Sequence, residues 1–275
     1  MTQVPHLTFH DGRSIPQFGL GIWQVDANDA ARVVSEAIGL GYRLIDGAAA
    51  YRNEEGLGEG IRQSGVSRDE LFVTSKVWND MQGYDKTRQS VEASLKRTGL
   101  DRLDLMLIHW PAPMNDLYVE TWKALIAAKA DGQVTSIGVS TFEEEHLDRL
   151  IDQTGEVPVL NQIEVNPEMQ QPAMRAADES RGIITQSWTP LGQGRSFEAE
   201  AIARIAEREG VSPVQVVLRW HIEIGNAVIS RSTSKEHLAE NLDIFGFRLT
   251  PEDMAEIEKL DADDRTGPNP MEFSG

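Results

Sequence analysis

The stretch Tyr42-Arg43-Leu44-Ile45-Asp46-Gly47-Ala48-Ala49-Ala50-Tyr51-Arg52-Asn53-Glu54-Glu55 decides how the chain is read. A short apolar run ends in Asp46, and Tyr51 follows five residues later. Asn53, Glu54 and Glu55 then open what reads as a helix, with Asn53 as its cap. A strand end, a loop and a helix start in this order is where α/β enzymes place reacting groups.

The same unit recurs on both sides of this stretch. Strand candidates are Phe18 to Trp23, Leu44 to Asp46, Leu71 to Lys76, Leu103 to His109, Ser136 to Ser140, Leu160 to Glu164, Ile184 to Trp188 and Ala227 to Ile229. Their ends fall near residues 21, 46, 76, 109, 140, 164, 188 and 230, and a helical pattern follows each. Alternation of this kind specifies right-handed βαβ units and a parallel sheet. Upstream, Leu7-Thr8-Phe9 and Ser14-Ile15-Pro16 flank the turn signal His10-Asp11-Gly12-Arg13, which predicts a hairpin. Pro251 to Leu260 predicts a helix beyond the last unit. The expected fold is an α/β (β/α)8 TIM barrel with an N-terminal β-hairpin and an extra C-terminal helix. Residues 1–275 form one domain on this reading, within the usual size of a barrel. An open doubly wound sheet is the competitor. The glycines at 19 and 21 lack the spacing that cradles a dinucleotide pyrophosphate ahead of a helix.

Composition narrows the function. The chain carries 26 basic and 44 acidic residues, a net charge of −18. Such a surface repels nucleic-acid backbones and anionic lipid, so neither nucleic acid nor membrane is an expected partner. With no cysteine, thiol nucleophiles, disulfides and thiolate metal sites are excluded. His146, His221 and His237 lie on helical patterns without the spacing of further ligands, so no metal is expected. No signal-peptide pattern opens the chain, and the expected location is cytoplasmic.

A barrel would place all strand ends on one rim, where active sites sit. Asp46, Lys76 and His109 stand at such ends, and Tyr51 lies just past one. A phenol has a pKa of about 10 in water. A lysine cation beside it favours the phenolate and lowers that value. An aspartate keeps the lysine charged, and a histidine can hydrogen-bond a carbonyl oxygen. Together these make an acid suited to protonating a carbonyl oxygen while hydride attacks its carbon. No side chain supplies hydride, so a cofactor must.

With these residues in place, the chain resembles the aldo-keto reductase superfamily from about Leu7 to Asp261. The likeness is closest to bacterial enzymes of the 2,5-diketo-D-gluconate reductase type. The motifs are Gly-Tyr-Arg-x-Ile-Asp at 41–46, Asn-Glu-Glu at 53–55, Thr-Ser-Lys at 74–76 and Asp-Leu-Met-Leu-Ile-His-Trp-Pro at 104–111. Further on stand Ser-Ile-Gly-Val-Ser at 136–140, Asn-Gln-Ile-Glu at 161–164, Pro-Leu-Gly-Gln-Gly at 190–194 and Glu-Asn-Leu at 240–242.

The resemblance implies NADPH as cofactor, with NADH as the alternative, and a small carbonyl compound as substrate. It implies Tyr51 as general acid, Lys76 and Asp46 as its tuning pair, and His109 as the residue orienting substrate. Trp188 would stack on the nicotinamide, with Ser140, Thr141 and Gln162 around the carboxamide. Leu191 and Gln193 would pass near the pyrophosphate. Arg231, Ser232, Thr233 and His237 would meet the 2′-phosphate, and Glu240 and Asn241 the adenine. Trp23, Trp78 and Trp110 would line the substrate mouth, and a monomer is implied.

The chain departs from the family pattern at several points. Gly47 stands for a usual threonine, Thr141 for an asparagine, Asn166 for a histidine, and His237 for an arginine; Ser230-Arg231-Ser232 replaces Pro-Lys-Ser. Two other functions compete: a nucleotide-binding accessory protein of the same fold, and a barrel isomerase or aldolase using Lys76 as a Schiff-base amine.

Overall fold

The computed structural model describes residues 4–275. Two short strands, β1 (His6–Thr8) and β2 (Ser14–Pro16), form the antiparallel hairpin, with Leu7 opposite Ile15. Eight parallel strands then close a barrel: β3 (Phe18–Gly21), β4 (Leu44–Asp46), β5 (Phe72–Val77), β6 (Leu103–Ile108), β7 (Val134–Ser140), β8 (Leu160–Glu164), β9 (Ile184–Trp188) and β10 (Ala227–Ser230). They pair in chain order, and β10 returns to pair with β3. The competing open sheet is therefore excluded, and each strand end lies within a residue of the position expected from the pattern. The first strand stops at Gly21 and leaves Trp23 half exposed in the following loop.

Helices cover the outside: α1 (Ala27–Leu40), α2 (Glu54–Ser64), α3 (Tyr84–Thr98), α4 (Tyr118–Ala130), α5 (Glu144–Thr154), α6 (Pro172–Ser180), α7 (Glu200–Glu209), α8 (Pro213–Glu223) and α9 (Lys235–Leu242). The pair α7 and α8 shares one connection, and α10 (Pro251–Glu258) is the extra C-terminal helix. Asp26 caps α1 by accepting from Asn28 N at 2.8 Å. Asn53 does not cap α2 with its side chain. Its Nδ2 instead donates to the carbonyls of Ile22 (2.8 Å) and Val25 (3.0 Å), which ties the Tyr51 loop to the end of β3. Among the described residues no helix is long and apolar enough to cross a membrane.

Two apolar clusters result. The larger lies between strands and helices and includes the buried Trp122 and Trp220. The smaller fills the barrel itself, with Leu44, Leu105, Leu107, Leu160 and Ile229. Phe9 and Ile15 of the hairpin segment join this inner cluster. The period-2 alternation of strands carries the inner face upward from these apolar residues to polar ones. Thus Leu44 leads to Asp46, Leu107 to His109, and Leu160 to Gln162 and Glu164. Close packing reaches the backbone at Gly138, where a Cβ would lie 2.6 Å from the Leu160 carbonyl.

Candidate active site

The upper layer of the barrel holds Asp46, Lys76 and His109, all buried. Tyr51 reaches them from a one-turn 3-10 helix, Ala49–Tyr51, just past β4. The Lys76 ammonium pairs closely with Asp46 Oδ1. It also donates to the Gly47 carbonyl at 3.0 Å and to the Tyr51 hydroxyl at 3.1 Å. Its three N–H bonds are thus all directed, two of them into the Asp46-Gly47 corner. The His109 ring stands edge-on to Tyr51, with centroids 5.6 Å apart, and edge-on to Trp78 at 4.9 Å.

The charge states follow from this packing. Burial pulls the Lys76 ammonium toward its neutral form. The charge of Asp46, with Tyr51 and the hydrogen bonds that Lys76 donates to both, outweighs burial and holds its pKa above the ordinary value. A persistently charged lysine is no Schiff-base nucleophile, which counts against the isomerase and aldolase reading. Burial pushes His109 well below the usual imidazole range, and the Lys76 charge adds to the effect. The ring is therefore neutral near pH 7. Its Nδ1 is buried without a partner, so Nε2 is the nitrogen left to meet a ligand.

For Tyr51 the outcome differs from the expectation that lysine lowers the phenol pKa. Burial raises it, and that effect exceeds the opposing pull of Lys76, while Asp46 raises it further. Before any reaction Tyr51 is a phenol holding its proton. A phenolate formed at this position would lie 3.1 Å from the Lys76 ammonium.

A cavity of about 1450 Å³ opens above this group. That exceeds the roughly 300–1,000 Å³ of ordinary small-molecule pockets, so there is room for a dinucleotide and a second ligand. Its lining contains Asp46, Tyr51, His109, Ser140, Thr141, Gln162, Trp188, Leu191, Gln193 and Arg231, together with Trp23, Trp78 and Trp110. Lys76 is fully buried behind Tyr51. Ser232, Thr233, His237, Glu240 and Asn241 lie beyond this lining, on the turn into α9 and on α9 itself. Ser232 Oγ donates to the Ser234 carbonyl (3.3 Å), and Asn241 Nδ2 to Ser230 Oγ (3.2 Å). Arg231 is exposed at the rim, its guanidinium 3.5 Å from the Gln24 carbonyl.

Around the innermost part, Ser140 Oγ donates to the Gln162 carbonyl at 2.9 Å. The Thr141 hydroxyl faces the carbonyls of Ser140 (2.6 Å) and His109 (3.2 Å), so its one proton is used on backbone rather than on the cavity. Thr141 also has φ 58°, the left-handed region, which is costly for a β-branched residue. Asparagine tolerates that region. Thr141→Asn is therefore expected to gain about 1 kcal/mol, read as a melting temperature about 2–4 °C higher. A lower melting temperature would mean that the hydroxyl bond outweighs the backbone strain.

The departure at Gly47 has a packing reason. A Cβ there would lie 2.7 Å from Leu57 Cδ1. Leu57 occupies the space a threonine side chain would take, while the Gly47 backbone still serves Lys76. Asn166 has a local role: its Oδ1 accepts from Glu168 N at 3.1 Å and shapes the turn after β8.

Residues 262–275 supply a wall that periodicity does not reveal. Glu164, fully buried at the end of β8, accepts from Thr266 N (2.8 Å), Thr266 Oγ1 (2.5 Å) and Gly267 N (3.0 Å). Gly267 packs on Trp188; a Cβ there would lie 2.5 Å from the indole. The Phe273 ring packs at a tilt against Trp110, with centroids 4.6 Å apart, and both line the cavity. The signal available in the sequence was Glu164 itself, an acid on the inward register of a buried strand that needs partners.

Residues 16–262 match the model of the aldo/keto reductase family. An aldo-keto reductase of Mycolicibacterium smegmatis is 48% identical over 98% of both chains. The Escherichia coli protein named methylglyoxal reductase DkgA is 44% identical, again over 98% of both. Among solved structures, a Gox0644 variant in complex with NADPH superposes with TM-score 0.94 at 49% identity, covering 98% of each chain. On fold, motif order and this similarity, the chain belongs to the aldo/keto reductase family of oxidoreductases.

Proposed function

We propose that this protein uses NADPH to reduce an aldehyde, ketone or keto-sugar carbonyl to an alcohol, with Tyr51 as the proton donor. The observation that carries this reading is the Tyr51 hydroxyl, placed 3.1 Å from a buried ammonium on the wall of the cavity. The lining fits the cofactor. Trp188 offers a flat face, Gln162 and Ser140 offer polar atoms at the innermost end, and Arg231 offers a cation at the rim. When bound, the reduced nicotinamide supplies hydride to the carbonyl carbon.

The chain's own residues do the rest. Neutral His109 donates from Nε2 to the carbonyl oxygen and aims it at Tyr51. The Tyr51 hydroxyl gives its proton to that oxygen. Lys76 holds the phenolate left behind, and Asp46 holds Lys76 charged and in place. The aromatic wall of Trp78, Trp110 and Phe273 excludes water and receives the body of the substrate. A relative named methylglyoxal reductase makes small 2-oxoaldehydes the first substrates to try.

Arg231 can bind a 2′-phosphate through its fork, and the position of His237 supplies no second guanidinium fork. The expected result is a kcat/KM about tenfold higher with NADPH than with NADH, the size of one charge-assisted hydrogen bond. Purified protein, a carbonyl panel and the loss of reduced-cofactor absorbance measure it. A clear NADH preference would reject the assignment at Arg231. Absence of oxidation with every carbonyl, alongside tight cofactor binding, would favour the accessory-protein role.

A further inference from the structure

Gln162 and Gln186 are directly opposed on neighbouring strands β8 and β9, and both side chains are buried inside the barrel. Gln162 Nε2 lies 2.8 Å from Asp46 Oδ2 and 2.7 Å from Gln186 Oε1. Which end of the Gln162 amide faces Asp46 is settled by chemistry. Asp46 pairs with an ammonium, so it is a carboxylate and can only accept. The Gln162 atom beside it must therefore be the NH2 group. The Gln186 atom facing that NH2 must in turn be its oxygen. Both Gln162 N–H bonds are then committed within the barrel wall, and Oε1 is the polar atom the side chain has left for the cavity it lines.

One hydrogen bond would leave the amide free to turn about it. Two, to acceptors on different strands, fix its plane. From this geometry we infer that Gln186 is a positioning residue: with Asp46 it locks Gln162 so that Oε1 meets the cofactor as a lone acceptor, selecting a ring substituent that carries an N–H. The primary carboxamide of nicotinamide is such a group. A methyl ketone in its place, which has the carbonyl and no N–H, is not. The inference rests on the reading of the cavity as an NADPH site and extends it to a residue that touches neither cofactor nor substrate. It also links the two reacting partners. From the carboxamide the bonds run through Gln162 to Asp46, from Asp46 to Lys76, and from Lys76 to Tyr51.

The test is equilibrium binding, read by quenching of tryptophan fluorescence. The probes are NADP and its 3-acetylpyridine analogue, which differs only in the missing N–H. Wild-type protein should bind NADP about tenfold more tightly than the analogue, a ratio that corresponds to one hydrogen bond. Gln186→Leu should reduce that ratio to within about twofold, chiefly by weakening NADP. Gln186→Glu retains an acceptor for the second N–H and should keep the ratio. Melting temperatures of both variants report whether they fold. If Gln186→Leu does not fold, Gln186→Met, which also lacks an amide oxygen, carries the comparison. An unchanged ratio in the folded Leu or Met variant would overturn the inference, as would a wild-type ratio near one. Either result leaves the cofactor reading standing. Wild-type protein that bound neither dinucleotide would instead overturn the cofactor reading.

Discussion

Tyr51→Phe should bind NADPH with an affinity close to wild type and lose carbonyl reduction by about 10³-fold in kcat, the middle of the range for a positioned acid. The substitution removes one oxygen from a loop held by other contacts. Asn53 pins the loop to the carbonyls of Ile22 and Val25. The Glu54 carboxylate ties the start of α2 to Ser75 Oγ at 2.6 Å and to Arg97 Nε at 2.7 Å. The phenylalanine ring can therefore keep its place edge-on to His109, and the loss measures the proton rather than the fold. Lys76 loses one acceptor and keeps two, Asp46 and the Gly47 carbonyl. Retention of most of the wild-type kcat would move the acid elsewhere, with His109 the next candidate.

Lys76→Met should damage both activity and stability, and the two effects can be separated. Without the ammonium no charge awaits the phenolate, and a fall in kcat of about 10²-fold or more is expected. Asp46 is then a buried carboxylate without its cation, an imbalance of about 3–5 kcal/mol. A double variant, Lys76→Met with Asp46→Asn, removes the stranded charge. It should recover most of the melting temperature and none of the kcat. If the double variant recovered activity as well, Lys76 would be structural. The pH dependence carries a sign. A lysine whose folded pKa is raised contributes stability fully below its unfolded value of about 10.4 and loses it as pH rises through the folded value. The deficit of the single variant should therefore be constant across neutral pH and shrink only in strong alkali.

Much of this site is legible from the chain alone, because β-strand period and barrel closure are strong constraints. Once Leu44-Ile45-Asp46 is a strand end, Lys76 and His109 fall on the same rim by counting. What escaped has physical reasons. The direction of the Tyr51 shift depends on whether burial or the lysine charge wins, and only the enclosed geometry decides it. The wall built by Thr266, Gly267 and Phe273 has no periodicity: Thr266 and Gly267 are held by hydrogen bonds to Glu164, and Phe273 by Trp110 and Trp78. Thr141 gives no hint in sequence of its left-handed backbone or of the inward turn of its hydroxyl. Gln186 reads as one polar residue among Thr185 and Ser187; its role exists only through Gln162 on the next strand. Asn53 has the identity of a cap, but two carbonyls from the β3 loop stand within reach of its amide and take it instead.

The central claim is that hydride goes to the carbonyl carbon while the Tyr51 proton goes to its oxygen. It is tested most directly with NADPH deuterated at the transferring position of nicotinamide C4, the preferred carbonyl from the panel, and mass analysis of the alcohol. One deuterium is expected on the carbinol carbon of the product, formed by wild-type protein and nearly absent with Tyr51→Phe. Product without carbon-bound deuterium, or labelled alcohol formed equally fast by the Tyr51→Phe protein, would contradict it.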